Sequence, residues 1–470
     1  MRILIVGAGK VGTSVAENLV SESNDITIVD TNESRINEIQ SNYDLRGIVG
    51  DATSPSTLAD AGAADADMVV AVTANDETNL AITLLAEQLF NVPSRIARVR
   101  NDELREYPAL LSTQGVRAPS IIWPERAVTD YIVELIRYPE TLQVIEFSFK
   151  GVILINVKVV KNSNMDGKPI KYIRELLPEV QTRVVAVYRQ KFREESLAGS
   201  TVIEAGDEVF ILVSPENAKS VIQQFRRKLR KSDRVMIVGG GSLGLQLAKS
   251  LDNIETDGGG SYNVKLVDSN QARCLYLSQH LSSSVLVLHG EMTDESLFVN
   301  EGIANTDLFI AISNDDEDNV MSCLLAKKLG AHRAIALINR TNYLDLVEGT
   351  SIDIALSPTE ATLSDLLRHI RHGDVVSVHI LRRGGAEVLE MVAHGTNKNS
   401  KIIGKKLREI NFPEGTAFGC LVRNEGGKLN VHMSQDDLVV ESGDRFIIFV
   451  GNKQKISSIE KLFSPSVSFF

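Results

Sequence analysis

The chain has 470 residues, 43% of them hydrophobic and 5% aromatic, with a net charge of −11. That length predicts three or four domains of about 100–200 residues each, and the acidic balance excludes a role built on neutralising nucleic-acid phosphates. No apolar run approaches the roughly 18 residues that cross a bilayer, and Cys274, Cys323 and Cys420 lack the paired spacing of a disulfide or zinc framework.

The first predicted element is an apolar strand over Arg2–Val6, with no signal peptide before it. It runs into Gly7-Ala8-Gly9-Lys10-Val11-Gly12, a G-x-G-x-x-G turn that opens a helix. Gly7 permits the tight turn, Gly9 lets the backbone approach a pyrophosphate, and Gly12 lets the helix pack closely on the sheet. The exposed amides of the first helical turn, at the positive end of its dipole, attract phosphate. A second strand over Asp25–Asp30 ends in Asp30, 18 residues after Gly12, where a carboxylate accepts bonds from ribose hydroxyls. The same charge repels a 2′-phosphate, which disfavours NADP.

Asp51 follows a third strand, either near the expected adenine or as a loop or helix cap. A buried strand over residues 67 to 73 ends on Thr73-Ala74, just before a helix opening at Asp76-Glu77-Thr78-Asn79. Thr73 caps that helix, lines the cleft, or does both. Arg98, in Ile96-Ala97-Arg98-Val99-Arg100, is a phosphate partner at the cleft mouth or a surface charge on a strand. A helix over Pro124–Arg137 closes the unit, and its stripe Val128, Ile132, Leu135, Ile136 reads as core of that same domain in preference to a dimer seam.

From about residue 142 to 225 short alternating strands predict a small α+β module. The basic segment Arg226-Arg227-Lys228-Leu229-Arg230-Lys231 then reads as a helix end and solvated linker. After it the pattern restarts. Arg234-Val235-Met236-Ile237-Val238 leads into Gly239-Gly240-Gly241-Ser242-Leu243-Gly244, 232 residues after the first glycine turn. The strand Asn263–Asp268 supplies Asp268, with Arg273 matching Arg35, and six extra residues fall in a loop containing Asp257-Gly258-Gly259-Gly260-Ser261. Gly290-Glu291 stands where Gly50-Asp51 does, and Ser313-Asn314 where Thr73-Ala74 does. Leu337 replaces Arg98, so phosphate contacts should differ between the two copies. A helix over residues 358 to 371, with Leu363, Leu366, Leu367 and Ile370 inward, precedes a second α+β module from about residue 375 to 463. Gly404 and Gly443 there match Gly167 and Gly206 of the first.

The fold class is therefore α/β in tandem duplication: two Rossmann-like parallel-sheet domains, each followed by a small α+β domain. The expected boundaries are 1–123, 142–227, 232–350 and 371–455. Strand and helix alternate at short spacing, as right-handed βαβ crossovers require. Catalytic parts are missing from the sequence. The first half has no histidine, no Lys/Tyr or Cys/His arrangement repeats, and there is no lysine-bearing P-loop. His369 and His372 share a helix face without acidic or thiol partners, so no metal is expected. The nucleotides are read as ligands to be sensed by a chain that is not an enzyme.

These motifs together resemble the RCK (also KTN) ligand-gating family. The resemblance is carried by Asn24-Asp25-Ile26-Thr27-Ile28-Val29-Asp30, the segment 66–73, Ile237-Val238-Gly239-Gly240-Gly241, Met321-Ser322-Cys323-Leu324-Leu325-Ala326-Lys327, and the ending Leu462-Phe463-Ser464-Pro465 with Phe469-Phe470. It implies NAD(H) binding and, in some members, ATP or ADP. It further implies assembly into a ring, expected as a homotetramer, on the inner face of a TrkH- or TrkG-type membrane potassium channel, peripheral to the bacterial inner membrane. By position, Gly7 to Val11, Asp30, Thr73-Ala74 and Arg98 would hold nucleotide in the first module. Gly239 to Leu243, Asp268 and Ser313-Asn314 would do so in the second. Asp51 departs from the His seen in close relatives, and Asp268 from a common Glu, which leaves the choice between ATP and NADH open. Two alternatives stand beside this reading: an NAD-dependent oxidoreductase with duplicated cofactor domains, and a sensor attached to another cation transporter.

Overall fold

The computed structural model describes residues 1–20, 24–101, 104, 119–189, 192–193, 197–256, 259–347, 349–370, 375–381, 386–434 and 437–464. Of the residues singled out above, Asp257, Gly258, Arg371, His372, Pro465, Phe469 and Phe470 lie outside these.

Six parallel strands form the first sheet: β1 (Arg2–Val6), β2 (Asp25–Asp30), β3 (Arg46–Val49), β4 (Met68–Ala71), β5 (Ser94–Arg98) and β6 (Ser120–Ile122). Their order is β3-β2-β1-β4-β5-β6. The crossovers are α1 (Lys10–Val20), α2 (Glu33–Asn42), α3 (Pro55–Asp60) and α4 (Asp76–Phe90), and α5 (Pro124–Arg137) follows the last strand. Helices on both faces leave a parallel strand no solvated side, which is why Ile3 to Val6 and Met68 to Ala71 are buried without alternation. Strand order reverses between β1 and β4, and the crevice at that switch point is where ligands of such sheets sit.

The next module contains β7 (Thr141–Glu146), β8 (Ile153–Lys158), β9 (Lys168–Pro169), α6 (Ile173–Leu176), β10 (Thr182–Arg189), β11 (Phe192–Arg193), β12 (Val202–Ile203), β13 (Glu208–Val213) and α7 (Ala218–Phe225). Its antiparallel sheet runs β7-β8-β13-β10-β11. The second parallel sheet then repeats the first, with β14 (Arg234–Val238), α8 (Ser242–Asp252), β15 (Asn263–Asp268), α9 (Gln271–His280), β16 (Val285–His289), α10 (Glu295–Asn300), β17 (Leu308–Ala311), α11 (Asp316–Lys328), β18 (Arg333–Leu337), α12 (Thr341–Val347), β19 (Ile354–Leu356) and α13 (Pro358–Ile370). Its order, β16-β15-β14-β17-β18-β19, matches the first. The last module has β20 (Val375–Ile380), β21 (Glu387–Val392), β22 (Thr416–Glu425), β23 (Lys428–His432), β24 (Arg445–Val450) and α14 (Ile456–Phe463), in the order β20-β21-β24-β22-β23.

Each α+β module is pinned by a two-pronged ion pair that sequence reasoning did not pick out. Arg189 donates to both carboxylate oxygens of buried Asp207 at 2.9 and 2.8 Å, and Arg423 does the same to Asp444 at 2.8 and 2.7 Å.

Two compact units divide the chain, and only one of them is continuous. One joins Met1–Pro124 to Thr359–Phe470, and the other is Glu125–Pro358. In the first unit, Leu363, Leu366, Leu367 and Ile370 of α13 share one apolar core with Ile3, Val15 and Leu19 of the first Rossmann module and Phe446 of the last module. Lys453 also donates to Asn18 at 2.6 Å. In the second unit, Arg333 donates to the Thr141 carbonyl at 2.6 Å, and His332 Nε2 lies 2.7 Å from Glu140 Oε1. This corrects the expectation that α5 and α13 bury their stripes in the domains they follow: α5 belongs to the unit of residues 125–358, and α13 to the unit that begins at Met1. Helical periodicity fixes which face is apolar and is silent about which sheet covers it. The basic segment after α7 is a largely exposed linker, as expected, and it is also tethered: Arg226 pairs with Glu140, Arg227 donates to the Lys161 carbonyl at 2.9 Å, and Arg230 lies 3.2 Å from His332 Nδ1.

Candidate functional site

Both crevices are built by the same local rules. Gly7 and Gly239 turn the chain at φ +108, a left-handed conformation that a side chain strains, and a Cβ there would stand 3.0 and 2.8 Å from the amide nitrogens of Thr73 and Ser313. At Gly12 and Gly244 a Cβ would fall 1.8 and 2.0 Å from the carbonyl oxygens of Gly7 and Gly239. The helices α1 and α8 therefore pass directly beneath the turns, with first-turn amides that have no partner inside the helix. Lys10 is exposed at the start of α1, and Ser242 takes its place on α8; Val11 is buried and Leu243 half-buried.

The acids end the second strand of each sheet. Asp30 Oδ2 accepts the Ala8 amide at 2.7 Å, and Asp268 Oδ2 accepts the Gly240 amide at 2.7 Å. The other oxygen of each accepts the amide two residues on, from Asn32 and Asn270, at 2.8 Å. Acid and glycine turn are thus joined across 22 residues in one copy and 28 in the other. Both carboxylates are half-buried and keep lone pairs that these amides do not use. Gly9 and Gly241 have nothing within 4 Å of where a Cβ would stand, so the backbone there is open to a close ligand.

Thr73 and Ser313 close the opposite wall. Their amides donate to Asn79 Oδ1 and Asn319 Oδ1 at 2.8 Å in each copy. Asn79 Nδ2 donates to the carbonyls of Thr73 and Arg98, and Asn319 Nδ2 to those of Ser313 and Leu337. Each asparagine is fully buried and ties the ends of two neighbouring strands together. Sequence reasoning read them only as part of a helix opening; the signal that marked them was recurrence of Asn six residues after Thr73 and Ser313. Ala74 and Asn314 are exposed beside these residues, and Arg98 is half-buried at the end of β5, where the second sheet has buried Leu337.

Asp51 is exposed. Its Oδ1 accepts the amide and the hydroxyl of Thr53 at 2.9 and 2.8 Å, bonds that hold its carboxyl below the ordinary range and organise the turn before α3. Arg273 was read only as a repeat match to Arg35. Its Nε donates to the Gly240 carbonyl at 2.6 Å and its Nη2 to the Gly241 carbonyl at 3.1 Å. Cys274, next to it, has its thiol pushed upward by burial and by the Asp268 charge. Among the described residues no group of His, Cys, Asp and Glu is placed to hold a metal ion, and no helix is long and apolar enough to cross a membrane.

Comparison with known proteins places this geometry. The TrkA-N domain family matches residues 3–117 and 235–358, and the TrkA-C domain family matches residues 154–226. The Trk system potassium uptake protein TrkA of Vibrio alginolyticus is 44% identical over 470 residues, covering all of both chains. Among solved structures, the GsuK RCK domain superposes with a TM-score of 0.58 at 17% identity, over 98% of this chain and 94% of that one. The GsuK channel bound to NAD gives 0.59 at 17% identity, over 98% and 78%. The last two show a shared RCK fold. The full-length relative carries the name of an uptake protein and not of an enzyme. On these matches, the chain belongs to the TrkA family of Trk system potassium uptake proteins.

Proposed function

We propose that the chain is a nucleotide-sensing regulatory subunit that gates a Trk-type potassium channel. The observation that carries this reading is the duplicated crevice, with an acid 2.7 Å from the second amide of each glycine turn. NAD(H) is the ligand whose parts the crevice suits. The pyrophosphate lies over Gly9, Lys10 and Val11 or over Gly241, Ser242 and Leu243, the ribose meets Asp30 or Asp268, and Thr73-Ala74 or Ser313-Asn314 line the far wall. A solved structure of similar fold is described as bound to NAD, which supports the same ligand here. ATP and ADP share the adenosine and phosphate parts, and Lys10 and Arg98 make the first crevice the more cationic at its phosphate end.

The modules 1–123, 142–227, 232–350 and 371–455 act as paired levers in a homotetrameric ring on the cytoplasmic side of a TrkH- or TrkG-type channel. Nucleotide shifts the population between two ring shapes, with a coupling of about 1–3 kcal/mol. The test is potassium flux through reconstituted channel with this chain and NADH, NAD, ATP or ADP. Flux should depend on both subunit and nucleotide. Asp30→Ala and Asp268→Ala should each weaken that dependence, and flux indifferent to nucleotide would reject the reading.

A further inference from the structure

We propose that Arg273 makes the second crevice a stacking platform for adenine, a device the first crevice lacks. The inference rests on the nucleotide reading above and specifies how one of the two sites selects its ligand.

Gly240 is held at both ends. Its amide donates to Asp268 Oδ2 at 2.7 Å and its carbonyl accepts Arg273 Nε at 2.6 Å. The guanidinium therefore lies one residue's width from the acid that receives the ribose, on the adenosine half of the crevice. Its plane is fixed: a second bond, Nη2 to the Gly241 carbonyl at 3.1 Å, completes a two-point attachment to the glycine turn. One face rests over the Tyr276 ring at 4.7 Å from its centroid, and Tyr276 in turn stacks on His280 at 3.9 Å and 20°. Arg273 stays half-exposed in this arrangement, so part of the guanidinium remains open to a ligand. A fixed, planar cation with one face backed by an aromatic ring is suited to receive a flat base on the other.

An arginine near the ribose acid also serves in other crevices to receive a 2′-phosphate. Here the Nε–Nη2 edge bonds the two glycine carbonyls, and a phosphate on the outer Nη1–Nη2 edge would stand beside the Asp268 carboxylate, which repels it. Stacking meets no such repulsion and leaves both bonds intact. The first crevice has the arginine at the same place in sequence, but Arg35 is exposed and its side chain makes no hydrogen bond among the described residues. Glu38 and Asn42 stand where Tyr276 and His280 stand, so no aromatic rail backs it.

The experiment is calorimetric titration of the full-length chain with NADH, ADP-ribose and NADPH. Asp30→Ala isolates the second crevice and Asp268→Ala the first. In the Asp30→Ala background, Arg273→Ala and Arg273→Lys should both weaken NADH and ADP-ribose by about tenfold, because lysine keeps the charge and loses the plane. Tyr276→Ala, which leaves the glycine turn untouched, should weaken them by about threefold. In the Asp268→Ala background Arg35→Ala should change affinity by less than about twofold. Three results would each overturn the proposal: Arg273→Lys binding as tightly as the parent, Tyr276→Ala without effect, or a parental preference for NADPH that disappears with Arg273. If the unsubstituted chain takes up none of these nucleotides, the proposed function itself falls, a result distinct from the other three.

Discussion

Gly9 and Gly12 sit three residues apart and answer to different constraints. A Cβ at Gly12 would overlap the Gly7 carbonyl oxygen at 1.8 Å, so Gly12→Ala must push α1 off its sheet. We predict a loss of at least about 3 kcal/mol, read as a lower urea midpoint for the first unit. Gly9 has open space at the same point. Gly9→Ala should leave stability within about 0.5 kcal/mol and weaken nucleotide at the first crevice by about tenfold or more, through the lost backbone approach. If both variants unfold alike, the crevice has been misread. Asn79→Ala belongs to the same scale: it strips partners from the Thr73 amide and from the carbonyls of Thr73 and Arg98, and should cost about 2–4 kcal/mol in chemical denaturation. The glycines and acids were legible because their chemistry is written in short spacing. Asn79 was not, because a polar residue in the first turn of a helix ordinarily reads as a cap, and only the far ends of β4 and β5 reveal what it holds.

At the scale of elements, α5 and the turn after it place a half-buried and a buried carboxyl with opposite pH behaviour in one unit. Burial raises the Glu134 carboxyl from its ordinary 4.5 to about 7, against the pull of Arg137 and with the help of Glu146 and Asp130. Its native form keeps a proton that the unfolded chain has released, so stability falls as pH climbs from 4.5 to 7. Glu140 is buried, yet the hydrogen bond to His332 and the charges of Arg226 and Arg333 outweigh burial and hold it down at about 2. That contribution is complete above 4.5 and is lost as pH drops toward 2. Thermal unfolding of the second unit should therefore peak near pH 4.5–5 on account of these two groups, and Glu134→Gln should flatten the alkaline limb. An unchanged limb would mean that Glu134 is ionised in the native state. Neither carboxyl could be picked out in the sequence: Glu134 is set first by burial, and Glu140 by residues up to 192 positions away.

At the scale of the whole molecule, the duplication was legible in the sequence and the exchange of partners was not. The strand orders, the acids and the glycine turns repeat in register, and a repeat invites the reading that each half folds on itself. The cores run otherwise: α13 and the last module complete the unit that residue Met1 begins. We predict that fragments 1–231 and 232–470, produced separately, each expose apolar surface, bind a hydrophobic dye and aggregate. Co-produced, they should recover a soluble complex with native-like unfolding. Two separately stable, monodisperse halves would contradict this partition. Hydrophobic periodicity names a buried face; the partner of that face is settled by connections it does not encode.

That partition has a consequence during synthesis. The Rossmann sheet nearest the N-terminus leaves the ribosome early, but the residues that cover its core begin at Thr359, about 235 residues after Pro124. At roughly 5–20 residues per second the nascent sheet waits about 10–50 s with an apolar face uncovered. Translation pauses or premature stops before that point would leave a client for chaperones and proteases, so the cell's supply of this subunit is sensitive to how smoothly its message is read.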